Sequence, residues 1–282
     1  TVSYHVLSIN TGSQPNLNNI FGANFGHPVK PIKLFIADWE SWLASQRGNN
    51  SLMPSLAVVG GGAAGIEVIL AIKQRLKTLK IDAKLSLICG ANKLLASHNK
   101  RVQKQFEKHL AAESIAVYYN STVTSATASA IIVNNEKELL SDFTVWAVNA
   151  QAKPWLTNTS LACNGDGFIN IEPTLCSISH GNVFAAGDTI NFISQTLPKA
   201  GVYAVRQGPV LSNNIRSLIE PTKTKMQIYT PQQQFLSLLT TGGKHAILSR
   251  GLLCLSGSWV WHWKNKIDSD FVKRFMPPNK NN

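Results

Sequence analysis

The sequence predicts an α/β fold built on a parallel sheet, and three observations support this prediction. Apolar strand patterns alternate with helical patterns over residues 56–148, the order that gives parallel strands joined by helices. A G-x-G-x-x-G run at residues 60–65 (the glycine loop) joins the first of these strands to the first helix. Another strand pattern, which ends in Gly187-Asp188, lies far downstream. We therefore expect a nucleotide-binding unit nested within another domain.

The first fifty residues predict one strand and one helix. Residues 4–9 form an apolar run that ends at Thr11-Gly12, which indicates a buried strand. Asparagine and glycine dominate from there to residue 26 and predict a loop. Residues 31–44 carry apolar side chains at helical spacing, and residues 48–51 have the composition of a linker.

The alternation of strands and helices occupies the middle of the chain. Strands are expected at residues 56–59, 83–89, 115–119 and 143–148, and helices at residues 64–79 and 100–113. Residues 122–139 predict a small antiparallel hairpin that turns at Asn134-Asn135.

The pattern changes after residue 154. Loops are expected as far as residue 173, and then a strand at 182–186, a helix at 201–218 and a boundary at 221–225. The end of the chain predicts strands at 246–249 and 259–263 around a turn at 256–258, a short helix at 270–275 and a frayed tail at 279–282. Because Trp259, Trp261 and Trp263 alternate, they are expected to share one face of a strand.

Composition favours a globular protein of the reducing cytoplasm with a basic surface. The 282 residues carry a formal net charge of +12, which suits anionic partners such as nucleotide phosphates or acidic lipid headgroups, although a solvated surface without a partner is the alternative. No nucleic acid partner is expected.

The four cysteines show no C-x-x-C spacing, so no metal site is predicted. No signal peptide pattern opens the chain, and residues 246–263 are too interrupted to span a membrane. Because residue 1 is not methionine, we expect an upstream portion.

The glycine loop predicts a dinucleotide phosphate site. Gly60 permits the tight turn, Gly62 lets the backbone approach a pyrophosphate, and Gly65 allows close packing of helix and strand. The backbone N–H groups of Ala63 and Ala64 open the following helix at its positive end. A vestigial loop is the alternative.

The acidic residue that would hold the ribose of NADH is missing. The second strand ends at residues 89–91, which are Cys, Gly and Ala, and Lys93 is near. The choice between NADH and NADPH therefore stays open.

Two carboxylates are candidates for further roles. Glu67 follows the glycine loop closely, and it is either a carboxylate favoured by the helix N-terminus or a group near the nicotinamide. Gly187 permits close approach of a ligand, and Asp188 offers an acceptor for a sugar or ribityl hydroxyl group.

The order of these motifs resembles the pyridine nucleotide-disulphide oxidoreductase superfamily. Within it, the sequence is similar to a branch akin to type II NADH dehydrogenases, which includes the flavoprotein domain fused to selenide, water dikinase. The matching runs are Lys30-Pro31-Ile32, Trp146-Ala147, Gly167-Phe168-Ile169, Leu197 to Pro209 (LPKAGVYAVRQGP), Tyr229 to Gln232, Thr241-Gly242-Gly243, and residues 247–251 and 267–271.

The resemblance implies FAD and NAD(P)H as cofactors and a nested domain order. Residues 1–50 would be a remnant of a three-layer FAD-binding domain with a linker helix. Residues 51–150 would form the inserted Rossmann-like NAD(P)-binding domain, and residues 151–225 the second part of the incomplete FAD-binding domain. Residues 226–282 would form a small hairpin-rich α+β C-terminal interface domain.

The resemblance also implies site residues. Asp188 would bind the ribityl chain of FAD, with Gly187 beside it and Thr11-Gly12 lying along the flavin nucleotide. The helix opened by Lys199-Ala200-Gly201 would point its positive end at the flavin ring. Glu67 would lie where the nicotinamide meets the flavin. Glu67 and Lys199 are thus the expected catalytic residues.

Three departures from the family pattern affect these expectations. No early G-x-G-x-x-G unit is present for the FAD pyrophosphate, so about one early half-domain is expected to be absent. Asn149 stands where a glycine is usual. The quinone signature of the branch keeps only Ala204 and Gln207, which leaves the small-molecule electron acceptor open, a quinone included.

The expected function is that of a FAD-dependent NAD(P)H oxidoreductase. The alternative is a degenerate, non-catalytic nucleotide-binding or accessory module linked to selenium metabolism beside a selenide, water dikinase domain.

Cys163 and Cys176 are the only plausible redox pair, and the simpler interpretation is two structural thiols. Two further partners are expected. The protein is expected to form a homodimer, and its basic aromatic C-terminal segment is expected to bind the surface of the inner membrane.

Overall fold

The computed structural model describes residues 2–46 and 53–276 and shows the predicted alternation of strands and helices in the middle of the chain. Its α-helices are α1 (Ile32–Gln46), α2 (Ala63–Leu79), α3 (Lys100–Ala112), α4 (Gly201–Ile219) and α5 (Ser258–Lys273). Its strands are β1 (Leu7–Ile9), β2 (Gln14–Pro15), β3 (His27–Pro28), β4 (Ser55–Val59), β5 (Lys84–Ile88), β6 (Ile115–Tyr118), β7 (Val123–Ala126), β8 (Ala130–Val133), β9 (Lys137–Leu140), β10 (Phe143–Trp146), β11 (Ala150–Gln151), β12 (Ile169–Ile171), β13 (Val183–Ala185), β14 (Ile190–Phe192), β15 (Ser237–Thr240), β16 (Ala246–Arg250) and β17 (Leu253–Gly257). The linker expected at 48–51 and the tail expected at 279–282 lie outside the described residues.

The chain divides into two compact units. The Asp188 unit comprises residues 1–16 and 149–233, and the glycine-loop unit comprises residues 17–148 and 234–282. The chain therefore leaves the first unit, forms most of the second and then returns. The four predicted domain segments stay a prediction.

The glycine-loop unit is built on a five-stranded parallel sheet. Its strand order is β3-β10-β4-β5-β6, and every neighbouring pair is parallel. All four residues of β10 and four of the five residues of β4 are buried. Such continuous apolar strands are typical of a parallel sheet that is covered on both faces. The predicted α/β class is therefore confirmed.

Two layers cover this sheet. Helices α1, α2 and α3 pack on one face around a core that includes Phe35, Trp39, Val58, Ile69 and Phe106. The other face contacts a small antiparallel sheet, β7-β8-β9. The predicted hairpin with its turn at Asn134-Asn135 corresponds to β8 and β9, whereas the sequence did not predict the break at residues 127–129 that separates β7 from β8.

The C-terminal part of the glycine-loop unit is a three-stranded antiparallel sheet, β15-β16-β17, followed by α5. The strand predicted at 259–263 is wrong, because α5 begins at Ser258. The predicted turn is also displaced: the chain turns after Arg250 and reaches Gly257 in a strand. The helix expected at 270–275 is the last part of α5, which ends at Lys273.

Helical packing explains the tryptophan pattern of α5. Val260 is fully buried against the sheet beside Ala246 and Leu248. Trp259 and Trp263 are four residues apart, so they lie on one helical face, where their ring centroids are 6.4 Å apart. The alternation that suggested a strand is therefore compatible with a helix. Within the described residues, no helix combines the length and apolarity needed to cross a membrane.

The Asp188 unit contains short strand pairs and one long helix. Strands β1 and β13 are parallel, as are β12 and β14, and β2 pairs with β11 antiparallel. The loop expected as far as residue 173 is thus interrupted by β12. Ile9 pairs with Ala185. The segments that follow β1 and β13 therefore leave the same edge of the unit, where α/β proteins place their ligands.

Candidate functional site

Backbone contacts make glycine necessary at both ends of the glycine loop. Gly60 has a φ of +135°, and a Cβ atom there would lie 2.2 Å from the carbonyl oxygen of Ala147. A Cβ atom at Gly65 would lie 1.9 Å from the carbonyl oxygen of Gly60. The turn and the close approach of α2 to the sheet thus depend on the missing side chains.

The middle of the glycine loop is open. A Cβ atom at Gly62 would meet nothing within 4 Å, and no side chain caps the N-terminus of α2 at this residue. The first N–H groups of a helix, here those of Ala63, Ala64 and Gly65, have no partner within the helix. They and the helix dipole favour an anion at this end of α2. The loop therefore has the geometry of a phosphate site.

Glu67 contacts the C-terminal sheet. Its Oε1 atom accepts hydrogen bonds from the backbone N of Thr240 at 2.8 Å and from Thr240 Oγ1 at 3.0 Å. Thr240 therefore orients this carboxylate and ties α2 to β15. The sequence could not reveal the contact, because the two residues are 173 positions apart. The proximity of Glu67 to a nicotinamide stays a prediction.

The Asp188 unit contains a cavity of about 200 Å³ between the segment after β13 and the start of α4. It is lined by Gly187, Asp188, Lys199 and Ala200, together with Asp166, Phe168, Tyr203 and Gln207 among others. Ala200 is the N-cap of α4 and has no side-chain cap, so the positive end of the helix borders the cavity. A polar, partly anionic ligand fits this lining.

Two polar side chains position the Gly187-Asp188 turn. The hydroxyl of Ser13 donates to Asp188 Oδ2 at 3.3 Å. The backbone N of Gly187 donates to Gln207 Oε1 at 2.7 Å, and Gln207 is only 1% exposed. The sequence did not assign these roles, although a glutamine on the inner face of a helix needs a partner when it is buried.

Lys199 lies in an unusual environment for a lysine. Its Nζ atom donates to the carbonyl oxygen of Ile190 and lies 3.6 Å from the centroid of the Phe168 ring. Burial lowers the pKa of Lys199 to about 8, although the carboxylates of Asp188 and Asp166 act in the opposite direction. The side chain is therefore held at the cavity and changes its charge at mildly alkaline pH.

The structure groups the predicted site residues into two sets. Within the glycine-loop unit they are Gly60, Gly62, Ala63, Ala64, Gly65 and Glu67. Within the Asp188 unit they are Thr11, Gly12, Gly187, Asp188, Lys199, Ala200 and Gly201. Gly12 has a φ of +70°, and open space where a side chain would be. Their roles toward particular ligands stay predictions.

Cys163 and Cys176 are free thiols. Burial raises the pKa of both thiols, and the charge of Glu172 adds to this effect at Cys176. A raised pKa keeps a thiol protonated and unreactive. Their environment thus favours the interpretation as structural thiols.

One family model and several known proteins are similar to this chain. The family model described as pyridine nucleotide-disulphide oxidoreductase matches residues 1–208. Demethylphylloquinone reductase NdbB of Synechocystis sp. is 24% identical over 236 residues, which are 78% of this chain and 58% of that protein. A probable NADH dehydrogenase of Dictyostelium discoideum is 25% identical over 215 residues, 72% of this chain and 47% of that protein. The chain thus spans about half the length of the curated relatives it matches.

The fold is similar to that of proteins of known structure. The structure of NDH2 from Plasmodium falciparum in complex with NADH has a TM-score of 0.81 and 16% sequence identity, and covers 98% of this chain and 75% of that one. This similarity concerns the fold, whereas the family model covers well over half of the sequence. The chain belongs to the pyridine nucleotide-disulphide oxidoreductase family.

Proposed function

We propose that the protein is a FAD-dependent NAD(P)H oxidoreductase. The observation that carries the proposal is that one chain contains two candidate ligand sites, the glycine loop and the Asp188 cavity. An uncapped glycine loop suits a dinucleotide phosphate, and the cavity at Asp188 and Lys199 suits a flavin. The test is whether the protein, expressed with its full reading frame, carries flavin and oxidises NAD(P)H with dyes or quinones. Absence of both properties would contradict the proposal.

The residues of the Asp188 cavity fit FAD. The Asp188 carboxylate can accept a hydrogen bond from a ribityl hydroxyl group, and the open space at Gly12 admits a nucleotide close to the backbone. The start of α4 favours negative charge on the flavin ring. A flavin held in this way would accept a hydride from dihydronicotinamide and pass electrons to an acceptor.

We propose a small-molecule quinone as the electron acceptor. The proposal is supported by the similarity to a demethylphylloquinone reductase. The name of that relative indicates that its substrate is a quinone. In this chain, Gln207 lines the Asp188 cavity, and its Oε1 atom accepts a hydrogen bond from the backbone N of Gly187. Quinone reduction by the full-length protein, compared with reduction of oxygen and of a soluble dye, tests the assignment.

Lys199 is expected to make flavin reduction depend on pH. Because its pKa is lowered to about 8, the side chain is cationic below that pH and neutral above it. A cation at the cavity stabilises the negative charge that arises on reduction. The stabilisation should thus be present below about pH 8 and be lost above it. The measurement is the midpoint potential of bound FAD across that range.

Two lysine variants make this measurement specific. Lys199→Met should lower the midpoint potential below pH 8 and remove the break in its pH dependence. Lys225→Met is the matched control, because Lys225 is exposed and does not line the cavity. If Lys199→Met keeps the break of the wild-type protein, Lys199 is not its source.

We propose that α5 and β17 bind an anionic membrane surface. The apolar side chains exposed on these two elements and directly beside them include Leu252, Leu253, Leu255, Trp259, Trp263, Ile267, Phe271, Val272 and Phe275. Cations accompany them at Lys264, Lys266 and Lys273 of α5 and at Arg274 just after it. Lys264 and Lys273 also form ion pairs with Asp268 and Asp270 of the same helix. A surface that combines apolar and basic side chains suits acidic lipid headgroups, as does the net charge of +12.

Vesicle binding tests this surface. Leu252 is 86% exposed, so Leu252→Asp should leave the fold intact and weaken binding to phosphatidylglycerol vesicles roughly tenfold. The control is Leu140→Asp on β9, where an exposed leucine lies on a different element. Failure of the wild-type protein to sediment with these vesicles at low salt would dismiss the membrane surface.

A further inference from the structure

We propose that the dinucleotide site favours NADPH over NADH, and that Lys93 provides the contact to the 2′-phosphate. The inference rests on the proposed function, because that function places a dinucleotide at the glycine loop. It goes further in naming the preferred donor and the residue that selects it. Lys93 belongs to the loop that follows β5, residues 89–95 (the selectivity loop).

Hydrogen bonds hold the selectivity loop directly against the glycine loop. The backbone N of Leu95 donates to the carbonyl oxygen of Gly61 at 2.9 Å. The Cys89 thiol donates to the carbonyl oxygen of Lys93 at 3.4 Å. A Cβ atom at Gly61 would lie only 2.2 Å from Cys89 Sγ. Lys93 is therefore part of a loop that packs on the phosphate-binding turn.

The selectivity loop is also fixed on its other side. The backbone N of Asn120 donates to the carbonyl oxygen of Ala91 at 3.1 Å, and that of Ser121 donates to the carbonyl oxygen of Cys89 at 3.0 Å. These bonds join it to the loop that follows β6, the next strand of the parallel sheet. Both loops lie at the carboxyl edge of the sheet, where the ribose of a bound dinucleotide lies in Rossmann-like units.

The end of β5 lacks the group that selects NADH. In NAD sites, a carboxylate at this position accepts a hydrogen bond from the ribose 2′-hydroxyl and repels a 2′-phosphate. Cys89 occupies the position instead, and its buried thiol donates a hydrogen bond to the backbone carbonyl oxygen of Lys93. Burial raises the pKa of this thiol, so it stays neutral. Residues 89–101 contain no aspartate or glutamate and three cations, Lys93, Lys100 and Arg101.

Lys93 has its charge available for a ligand. Its side chain is exposed and forms no ion pair with any residue that the structure describes. A second cation, Lys137, lies near the same edge, with its ammonium 4.6 Å from the ring centroid of Tyr118 at the end of β6. One anion lies nearby, the carboxylate of Glu107, which accepts a hydrogen bond from the Tyr119 hydroxyl at 3.3 Å and is outnumbered by the two lysines. The charges at this edge therefore favour a phosphate dianion.

Direct binding tests the inference without any catalytic turnover. NADPH and NADH are titrated into the protein while its tryptophan fluorescence is followed, and adenosine 2′,5′-bisphosphate is compared with AMP in the same way. We expect the 2′-phosphorylated member of each pair to bind about tenfold more tightly, since one charge-assisted contact at an exposed site contributes about that much. Higher salt should reduce the difference.

Two aspartate variants identify the residue. Lys93→Asp should reverse the preference, so that NADH binds more tightly than NADPH. Lys84→Asp is the matched control, because Lys84 is an exposed lysine at the opposite end of the same strand. It should keep the preference of the wild-type protein.

The outcomes separate the inference from the proposed function. Equal binding of NADH and NADPH, tighter binding of NADH, or an unchanged preference in Lys93→Asp overturns the inference alone. Binding of neither dinucleotide overturns the proposed function together with the inference.

Discussion

Replacement of Gly60 by alanine is expected to lower the free energy of unfolding of the glycine-loop unit by about 3 kcal/mol. Two penalties combine in this estimate. Gly60 has a φ of +135°, a conformation that alanine rarely adopts, and the added Cβ atom would lie 2.2 Å from the carbonyl oxygen of Ala147. That atom belongs to the backbone and cannot rotate away. Urea unfolding followed by tryptophan fluorescence measures the change.

The matched control is Gly62→Ala in the same loop. Gly62 has a φ of −84° and open space around the position of a Cβ atom, so the unfolding free energy should stay within about 0.5 kcal/mol of the wild-type value. Its added methyl group should instead hinder the approach of a pyrophosphate and weaken dinucleotide binding. Equal stability of the two variants would show that the close contact at Gly60 does not constrain the loop.

Replacement of Asp188 by alanine is expected to weaken FAD binding about 10- to 100-fold, since it removes a charged hydrogen-bond acceptor from the cavity. The carboxylate is positioned by the Ser13 hydroxyl and by the turn that Gln207 holds. Titration of FAD with the protein, followed by the quenching of flavin fluorescence, gives the dissociation constant.

Asp166→Ala separates the role of this acceptor from a general effect of charge. Asp166 lines the same cavity, and its carboxylate, like that of Asp188, raises the pKa of Lys199. Both variants therefore remove one negative charge near Lys199, but only Asp188→Ala removes the proposed partner of the ribityl chain. Equal losses of FAD affinity in the two variants would argue against that specific contact.

Local sequence patterns predicted the parallel sheet well. Strands β4, β5, β6 and β10 and helices α2 and α3 lie within a few residues of their predicted positions. Continuous apolar runs separated by amphipathic helices have few other structures available to them. The glycine loop was also recognisable, because its backbone conformation demands particular residues at fixed spacing.

The elements that were missed depend on tertiary contacts. Tryptophan recurs at every second position over residues 259–263 of α5, as it would on one face of a strand. Only the packing of Val260 on β16 shows that the segment is helical. Strand β7 is separated from β8 by a break at residues 127–129, and it is a distinct strand because it pairs back onto β8. Such pairing leaves little trace in a local pattern.

The supports of the candidate sites were equally invisible. Thr240 reaches Glu67 across 173 positions, and Ser13 reaches Asp188 across 175. The fold alone brings Gln207 to the backbone N of Gly187, and the ring of Phe168 to the ammonium of Lys199. Residues that bind a ligand directly follow motifs, whereas those that orient them follow from the packing of distant segments.

Anaerobic reduction of the bound flavin by a nicotinamide donor tests the proposed function most directly. The protein, expressed with its full reading frame and saturated with FAD, is titrated with NADPH and with NADH in the absence of oxygen and of any acceptor. We expect stoichiometric loss of the visible absorbance of oxidised flavin, with NADPH effective at lower concentration than NADH. If both FAD and the dinucleotide bind but the flavin stays oxidised, the chain is a nucleotide-binding module and not an oxidoreductase.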